Sequence, residues 1–445
     1  MGIEILGGLE IHQILTKLGP RETAIVGCVS HHFQGRASDD SLWSQFCAQE
    51  LHLYSPEDPL GNPTPSFKAA YQAWSEAFSM YPWSLVLRVR TCWEKIRSWL
   101  VVNFPEAMTT LHKGATEDVL NNFESSLKVK LPIPTRLLYR FCDGQDLVKY
   151  SESFAASLLG LIGGYSFGNS LVNVFLLPLD EVLRKTNGVR CHLIEHVGVP
   201  FGTEYLVVAT SSTERVKFFF LNCSDGQLFV GDGNFLENGN MLPCVPDDLI
   251  HSVHNVRDCQ QQDGLLLWLE EHGRHLESGL VNVSEEKNTR YISLLPEESS
   301  LCYSAVENGV KVRASALFIP ELSMTVSESN YYWFAFSIRM ALNPGGFIVN
   351  GTWFDSCQLC MAHWTIQENN DIVNKITEET VDGKNPILHP GDEEFTFQVH
   401  ICIRAPQGSL EGSLTFVPGR LTNPKGAEFE VELPQILLEY PDYIF

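Results

Sequence analysis

Ser166 lies in the segment Gly164-Tyr165-Ser166-Phe167-Gly168, which fits the Gly-x-Ser-x-Gly pattern of serine hydrolases. In those enzymes the serine lies on a sharp turn between a strand and a helix, which exposes its hydroxyl for attack on an acyl group. Residues 172–178, which follow the motif here, are rich in β-formers and end at Pro178. The sequence thus predicts a strand where the motif needs a helix, and we expect the segment to be structural.

Three residue pairs have a spacing that occurs in metal sites: Cys357-x-x-Cys360, His251-x-x-His254 and His272-x-x-His275. A structural zinc site needs four ligands, and no second pair lies at a suitable spacing from the cysteines. On a strand, residues three positions apart point to opposite faces, which disfavours chelation. We predict no metal and no cofactor, and we expect these histidines to be solvated on helix faces.

Three short apolar patterns at helical spacing occupy residues 1–48: Ile11, Ile14, Leu15 and Leu18; then Ile25, Cys28 and Val29; then Leu42, Trp43 and Phe46. Gly19-Pro20 predicts the end of the first helix. Three helices in so short a chain bury too little surface to be stable alone. We therefore expect this module to dock on a partner.

The same segment resembles an F-box in its leucine-rich first helix, the Val29-Ser30-x-x-Phe33 stretch and the Leu42-Trp43 pair. The usual Leu-Pro opening of that family is Leu6-Gly7 here, which loses a helix-start proline but no apolar contact. The resemblance implies binding to the Skp adaptor. The expected adaptor-binding residues are Leu6, Leu9, Ile11, Ile14, Leu15, Leu18, Ile25, Val29, Phe33, Leu42 and Trp43.

Composition limits the other functions of the 445-residue chain. Its 44% hydrophobic and 19% charged residues are typical of globular domains. The net charge of -23 divides into -2 for residues 1–100, -9 for 101–280 and -12 for 281–445, and such an acidic surface repels nucleic acid. The start lacks a basic region followed by a long apolar run, so we expect no signal peptide. The uncharged stretch 154–179 is broken by glycines, which favours two buried strands over a membrane span. We expect reduced cysteines and a location in the nucleus or cytoplasm.

The central region shows helical patterns first and strands later. Residues 49–104 follow with aromatic helical faces and are predicted to form a helical linker. In residues 105–280, a helix capped by Thr116 is predicted to place Val119, Phe123 and Leu127 inward. Strands are predicted at 171–177, 204–210, 216–221 and 226–230. A helix near 264–277 is predicted to close the domain. This α+β region resembles the SMI-type (SUKH) domain in Leu111-x-x-Gly114, Phe123-Glu124, Leu131-Pro132, Asp143-Gly144-Gln145 and Gly160–Gly164. The resemblance implies a scaffold that binds a protein or ligand rather than a catalyst.

Residues 298–435 alternate apolar and polar side chains with period two, as in 332–340, 395–403 and 428–433, which predicts an antiparallel β-sandwich. The region resembles an ApaG domain of fibronectin-like fold. The matching pieces are 310–312, 331–340, Cys357-Gln358-Leu359, His363-Trp364-x-Ile366, 390–395 and 408–416. The family's glycine-dense segment is replaced by residues 379–386, whose acids argue against a phosphate ligand. Residues 436–445 are expected to form a C-terminal tail.

The sequence therefore predicts a multidomain α+β protein with a helical F-box, a central α+β SUKH-like domain and an all-β ApaG sandwich. This order of domains resembles that of the plant relatives of the F-box-only proteins, which are partners of the Skp adaptor. The resemblance implies a non-catalytic substrate receptor of a Skp–cullin–F-box ubiquitin ligase, with an unidentified protein substrate and neither nucleic acid nor membrane as a partner. Two alternatives stay open: a small-ligand or peptide-binding module that acts outside a ligase, and the serine hydrolase.

Overall fold

The computed structural model of the chain describes residues 7–147, 158–167, 170–196, 202–211, 217–231, 241–255, 258, 260–286, 289–297, 301–324, 330–381 and 383–444. Helices dominate the N-terminal third, a mixed α/β region follows, and the C-terminal part is β throughout. This confirms the predicted multidomain α+β class. Among the helices described, none is both long and apolar enough to cross a lipid bilayer.

Four helices form the N-terminal module: α1 (Gly8–Leu18), α2 (Pro20–Val26), α3 (His31–Ala37) and α4 (Asp40–Leu51). Gly19, with a φ of 86°, breaks the chain between α1 and α2, and Pro20 opens α2. The side chains of Ser30 and Asp39 each accept a hydrogen bond from a backbone N–H at the start of α3 and α4. These two caps explain why the module has four helices where the apolar pattern predicted three.

The next two helices, α5 (Phe67–Phe78) and α6 (Trp83–Asn103), belong to the central domain. The apolar face of α6 is fully buried, and Trp93 Nε1 donates a hydrogen bond to the Leu138 carbonyl oxygen at 3.2 Å. Arg88 binds the Glu270 carboxylate with two nitrogens, which ties α6 to a helix far along the chain. Residues 49–104, predicted as a linker, are therefore packed into the core of the neighbouring domain.

The central domain contains α7 (Pro105–Met108), α8 (Glu117–Leu127), α9 (Ile133–Phe141), α10 (Leu179–His196) and α11 (Gly264–Ser278) around one sheet. Its eight strands have the order β6-β5-β4-β3-β2-β1-β8-β7. They are β1 (Gly163–Phe167), β2 (Ser170–Leu176), β3 (Tyr205–Ser211), β4 (Phe218–Asn222), β5 (Leu228–Gly231), β6 (Leu242–Pro243), β7 (Asn282–Glu286) and β8 (Thr289–Ser293). The predicted strands and the closing helix are confirmed, whereas α10 and the two strands beyond residue 280 were not predicted.

One inward residue of α8 was predicted wrongly. Thr116 caps this helix as expected, and Phe123 and Leu127 are buried. Val119, however, is exposed, and Leu120 is buried in its place. The reason is that Leu120, Phe123 and Leu127 already complete the i, i+3, i+7 stripe that packs on the core.

The C-terminal region is a β-sandwich of a four-stranded and a six-stranded sheet, with a short hairpin at one end. The four-stranded sheet has the order β17-β11-β10-β9, and in the six-stranded sheet β15, β14 and β18 follow one another. The strands are β9 (Cys302–Glu307), β10 (Val310–Met324), β11 (Tyr331–Leu342), β12 (Phe347–Val349), β13 (Thr352–Phe354), β14 (Cys357–Glu368), β15 (Asp371–Glu378), β16 (Ile387–Leu388), β17 (Phe395–Ile403), β18 (Gln407–Arg420), β19 (Asn423–Pro424) and β20 (Phe429–Glu439). The predicted tail thus begins later, because β20 continues to Glu439 and buries Ile436 and Leu438.

The sandwich packs directly on the central domain. In β11 the residues between the apolar ones, Ala335, Ser337 and Arg339, are buried as well. Their face meets β1 and β8, where the Gln398 side chain accepts a hydrogen bond from the Ser166 backbone N–H and donates one to the Tyr291 hydroxyl. Arg339 also forms an ion pair with Glu297 at 3.0 Å. The two large domains therefore share a buried, polar interface.

Candidate partner-binding site

The N-terminal module has an apolar core of its own. Ile11, Leu15, Leu42 and Trp43 are each at most 2% exposed. Trp43 Nε1 donates a hydrogen bond to the Ala37 carbonyl oxygen at 2.7 Å, and the Thr23 hydroxyl donates one to the Leu15 carbonyl oxygen at 3.0 Å. These four residues, predicted to bind the adaptor directly, are instead placed where they hold the four helices together.

A second set of large apolar side chains on the module points to solvent. Ile14 and Leu18 of α1 are 40% and 43% exposed, Ile25 of α2 is 59% exposed, and Val29 just after α2 is 70% exposed. Ile14 and Leu18 are one turn apart, on the side of α1 that borders its buried stripe. We call Ile14, Leu18, Ile25 and Val29 the apolar ridge. Exposed apolar side chains that form a contiguous patch mark a surface that contacts a protein or membrane.

The remaining predicted residues lie elsewhere. Leu9 is 74% exposed but lies roughly half a turn around α1 from Leu18, at the 3.6 residues per turn of a helix. Phe33 is half-buried and packs against the module's core. Leu6 lies outside the described residues. Of the eleven predicted residues, four are therefore buried together in the module's core, and four, the apolar ridge, are exposed on its surface.

The module is fixed to the rest of the chain through α5. Phe67 and Tyr71 of α5 pack on the module's core, and the Trp43 and Tyr71 rings lie 5.4 Å apart. The Asp40 carboxylate accepts a hydrogen bond from the Phe67 backbone N–H, and the Tyr71 hydroxyl donates one to Glu50 at 2.7 Å. This support could not be predicted from the sequence, because it depends on residues some 27 positions apart. A partner held on the apolar ridge would thus be oriented relative to the large domains.

Ser166 is held in a structural environment. It lies in β1 and is 7% exposed, and the next described residues form the antiparallel strand β2 rather than a helix. A side chain at Gly164 would place its Cβ 1.6 Å from the Val172 carbonyl oxygen, so glycine is required there by strand packing. Gly168 lies outside the described residues. The geometry does not form the nucleophile elbow of a serine hydrolase.

The cysteine and histidine pairs have separate surroundings. Cys357 is fully buried, and the thiol of Cys360 contacts the Thr415 carbonyl oxygen at 3.2 Å. Across the described residues, no group of three or more His, Cys, Asp and Glu side chains is arranged to hold a metal ion.

The prediction that the histidines are solvated on helix faces is wrong for most of them. His251 and His254 lie outside the helices, and the latter contacts the Cys223 carbonyl oxygen at 2.6 Å. His272 of α11 is buried, stacks on Trp268 and donates from Nε2 to the Leu161 carbonyl oxygen at 2.9 Å. Burial lowers the pKa of His272 to about 4, so this histidine is a neutral part of the core.

The fold is thus a helical module with an exposed apolar ridge, joined to a central α/β domain and a β-sandwich. Residues 323–418 match the family model described as the ApaG domain, inside the predicted region 298–435. F-box protein SKIP16 of Arabidopsis thaliana is 50% identical over 445 residues, which is the full length of both chains. The chain therefore belongs to the family of F-box proteins that includes SKIP16.

Two further relatives extend this comparison. F-box only protein 3 of Homo sapiens is 23% identical over 444 residues, covering 97% of this chain and 81% of the human protein. Protein ApaG of Brucella abortus (strain S19) is 26% identical over 140 residues, covering 32% of this chain and 95% of the bacterial protein. The similarity of residues 105–280 to a SUKH domain stays a prediction.

Proposed function

We propose that this protein is the substrate-recognition subunit of a Skp–cullin–F-box ubiquitin ligase, in which the apolar ridge binds the Skp adaptor and the adaptor binds the cullin. The observation that carries the proposal is the exposure of Ile14, Leu18, Ile25 and Val29 on a module that buries Ile11, Leu15, Leu42 and Trp43 in its own core. The family membership supports the same reading. The packing of the module on α5 supports a role in orientation, because transfer from a bound enzyme depends on holding the target in place.

In this role the chain supplies binding and position, and the ligase partners supply the chemistry. The sandwich and the central domain would hold the protein substrate. We also propose that the complex acts in the nucleus or cytoplasm. The eleven cysteines that the structure describes are all free thiols, and seven of them are buried, which suits a reducing compartment.

The proposal is tested by co-expressing the full chain with the Skp adaptor and the N-terminal part of the cullin, followed by size-exclusion chromatography. We expect one ternary peak. Leu18→Asp should remove the adaptor from this peak, because the ridge would then bury a charge without a partner.

Leu9→Asp is the matched control, since it changes an exposed leucine on the opposite side of the same helix. It should leave the ternary peak intact. Absence of the wild-type complex contradicts the proposed function, and equal loss with both variants contradicts its placement on the apolar ridge.

A further inference from the structure

Strand β15 is an exposed edge of the sandwich. It pairs with β14 on one side, and on its other side no strand of the described chain pairs with it. All eight of its residues, Asp371–Glu378, are exposed, including Ile372 at 56%, Val373 at 51% and Ile376 at 37%. An edge with unpaired backbone groups and apolar side chains is a template for the addition of another strand.

The opposite side of the same sandwich is closed. There β20 of the six-stranded sheet meets β9 of the four-stranded sheet, and the Asn308 side chain donates to the Glu430 carbonyl oxygen at 3.4 Å. The Glu432 backbone N–H donates to the Glu307 carboxylate at 3.0 Å. The exposure of β15 is therefore not a general property of the sheet ends.

Strand β15 is nevertheless held in place by its pairing with β14, which contains one β-bulge between the pairs Ile366–Asn374 and Gln367–Ile372. Its neighbour Trp364 is buried against Phe336 and Phe397 in the sandwich core. Trp364 Nε1 donates to the Glu378 carboxylate at 3.1 Å, which anchors the end of β15. The strand is thus paired with the core strand β14 while its own side chains stay exposed, as a partner strand would need.

Charge indicates which kind of segment fits. Acidic side chains lie at both ends of the strand, Asp371 at one and Glu378 and Glu379 at the other, with Lys375 between them. A second copy of β15, paired antiparallel in full register, would place Asp371 opposite Glu378 at both ends, and like charges directly opposite each other are destabilising. Self-pairing is therefore disfavoured, and basic residues are favoured at the ends of the added strand.

We propose that β15 is the substrate-recognition edge: an extended segment of the target protein adds to it as a further strand. That segment carries β-branched residues against Ile372 and Ile376, basic residues opposite the acidic ends, and an acidic or neutral residue opposite Lys375. This inference rests on the proposed function, because it takes the segment that binds β15 to be part of a ligase substrate. The binding itself does not require the adaptor.

The test selects binders for the full chain from a display library of random 12-residue peptides and then measures their affinity by fluorescence anisotropy. We expect enriched peptides with β-branched residues in the centre and flanking lysine or arginine. Methylation of backbone nitrogens, one at a time, should abolish binding at every second position only, because alternate amides of an added strand face β15.

Two variant pairs locate the site. Ile372→Asp/Ile376→Asp should weaken the selected peptides by at least about tenfold, through lost apolar burial. Val306→Asp/Leu437→Asp is the matched control, with two exposed apolar strand residues elsewhere on the sandwich. Asp371→Lys/Glu379→Lys should also weaken binding, whereas Glu428→Lys/Glu430→Lys, with the same change in net charge at the other side, should not.

Each outcome has a defined meaning. No enrichment, or equal binding by the β15 and control variants with unchanged thermal unfolding, overturns the inference. A dimer in light scattering that Ile372→Asp/Ile376→Asp converts to a monomer also overturns it, because the occupant would be a second copy. Peptide binding without adaptor binding contradicts the proposed function alone, and adaptor binding without peptide binding contradicts this inference alone.

Discussion

Replacing two residues of the apolar ridge should separate adaptor binding from folding. Ile25 and Val29 are 59% and 70% exposed, so Ile25→Ser/Val29→Ser removes few contacts within the chain. Full burial of such a side chain stabilises by about 1.5–3 kcal/mol, so the adaptor gains about 2–4 kcal/mol by covering the exposed parts of both. At 1.4 kcal/mol per tenfold change, the dissociation constant for the adaptor should rise about 30- to 700-fold.

Isothermal titration calorimetry of purified adaptor into the full chain measures this change. Val101→Ser/Val102→Ser is the matched control, because these two residues of α6 are 58% and 78% exposed and lie outside the module. The control should bind like the wild type, and all three proteins should unfold at similar temperatures. An affinity of the Ile25→Ser/Val29→Ser variant within about threefold of the wild type, a difference of less than 1 kcal/mol, would refute the reasoning.

Three further outcomes follow from the structure. Leu15→Ala should lower the free energy of unfolding by about 2–5 kcal/mol in urea titration, because this leucine is buried in the module's core, and a loss below 1 kcal/mol would contradict that placement. Ser166→Ala should leave folding and adaptor binding unchanged, and a fluorophosphonate probe should not label the wild type. Stoichiometric labelling of Ser166 would instead support the serine-hydrolase hypothesis. The pKa of folded His272 is about 4, below the value of about 6.5 for an unfolded histidine, so the unfolded state binds more protons between these pH values. The free energy of unfolding should therefore fall by up to about 3 kcal/mol as the pH drops from 6.5 to 4. His272→Gln should show a smaller fall over the same range, and an identical fall would contradict a neutral buried histidine.

Local patterns in the sequence were sufficient for much of the fold. The Gly19-Pro20 break, the Thr116 cap and the alternation of Phe429, Val431 and Leu433 with glutamates all appear in the structure as predicted. These features depend on residues close together in the chain, where helix and strand periodicity are direct consequences of backbone geometry.

The division of the module's apolar residues into core and ridge was not predictable in the same way. Ile14 and Leu15 are neighbours in sequence, yet one is 40% exposed and the other 2%. The difference arises because Leu15 faces α4 and Trp43, a contact between segments about 28 residues apart. Helical spacing alone cannot tell which edge of an apolar stripe will be covered by the chain itself.

Burial on both faces of β11 was missed for a related reason. Ser337 and Arg339 alternate with apolar residues, which indicates a solvent-facing side. In the structure that side meets the central domain, and Arg339 is neutralised there by Glu297. A polar face that is buried by another domain looks in sequence like one exposed to water, so the domain interface could not be inferred from alternation.

The central claim, that the apolar ridge binds the Skp adaptor, is tested most directly by amide hydrogen exchange of the full chain with and without the adaptor. The account predicts slower exchange in residues 8–29, which include α1, α2 and Val29, and unchanged exchange in β15 and α11. Unchanged exchange in residues 8–29 under conditions where the adaptor is bound would contradict it.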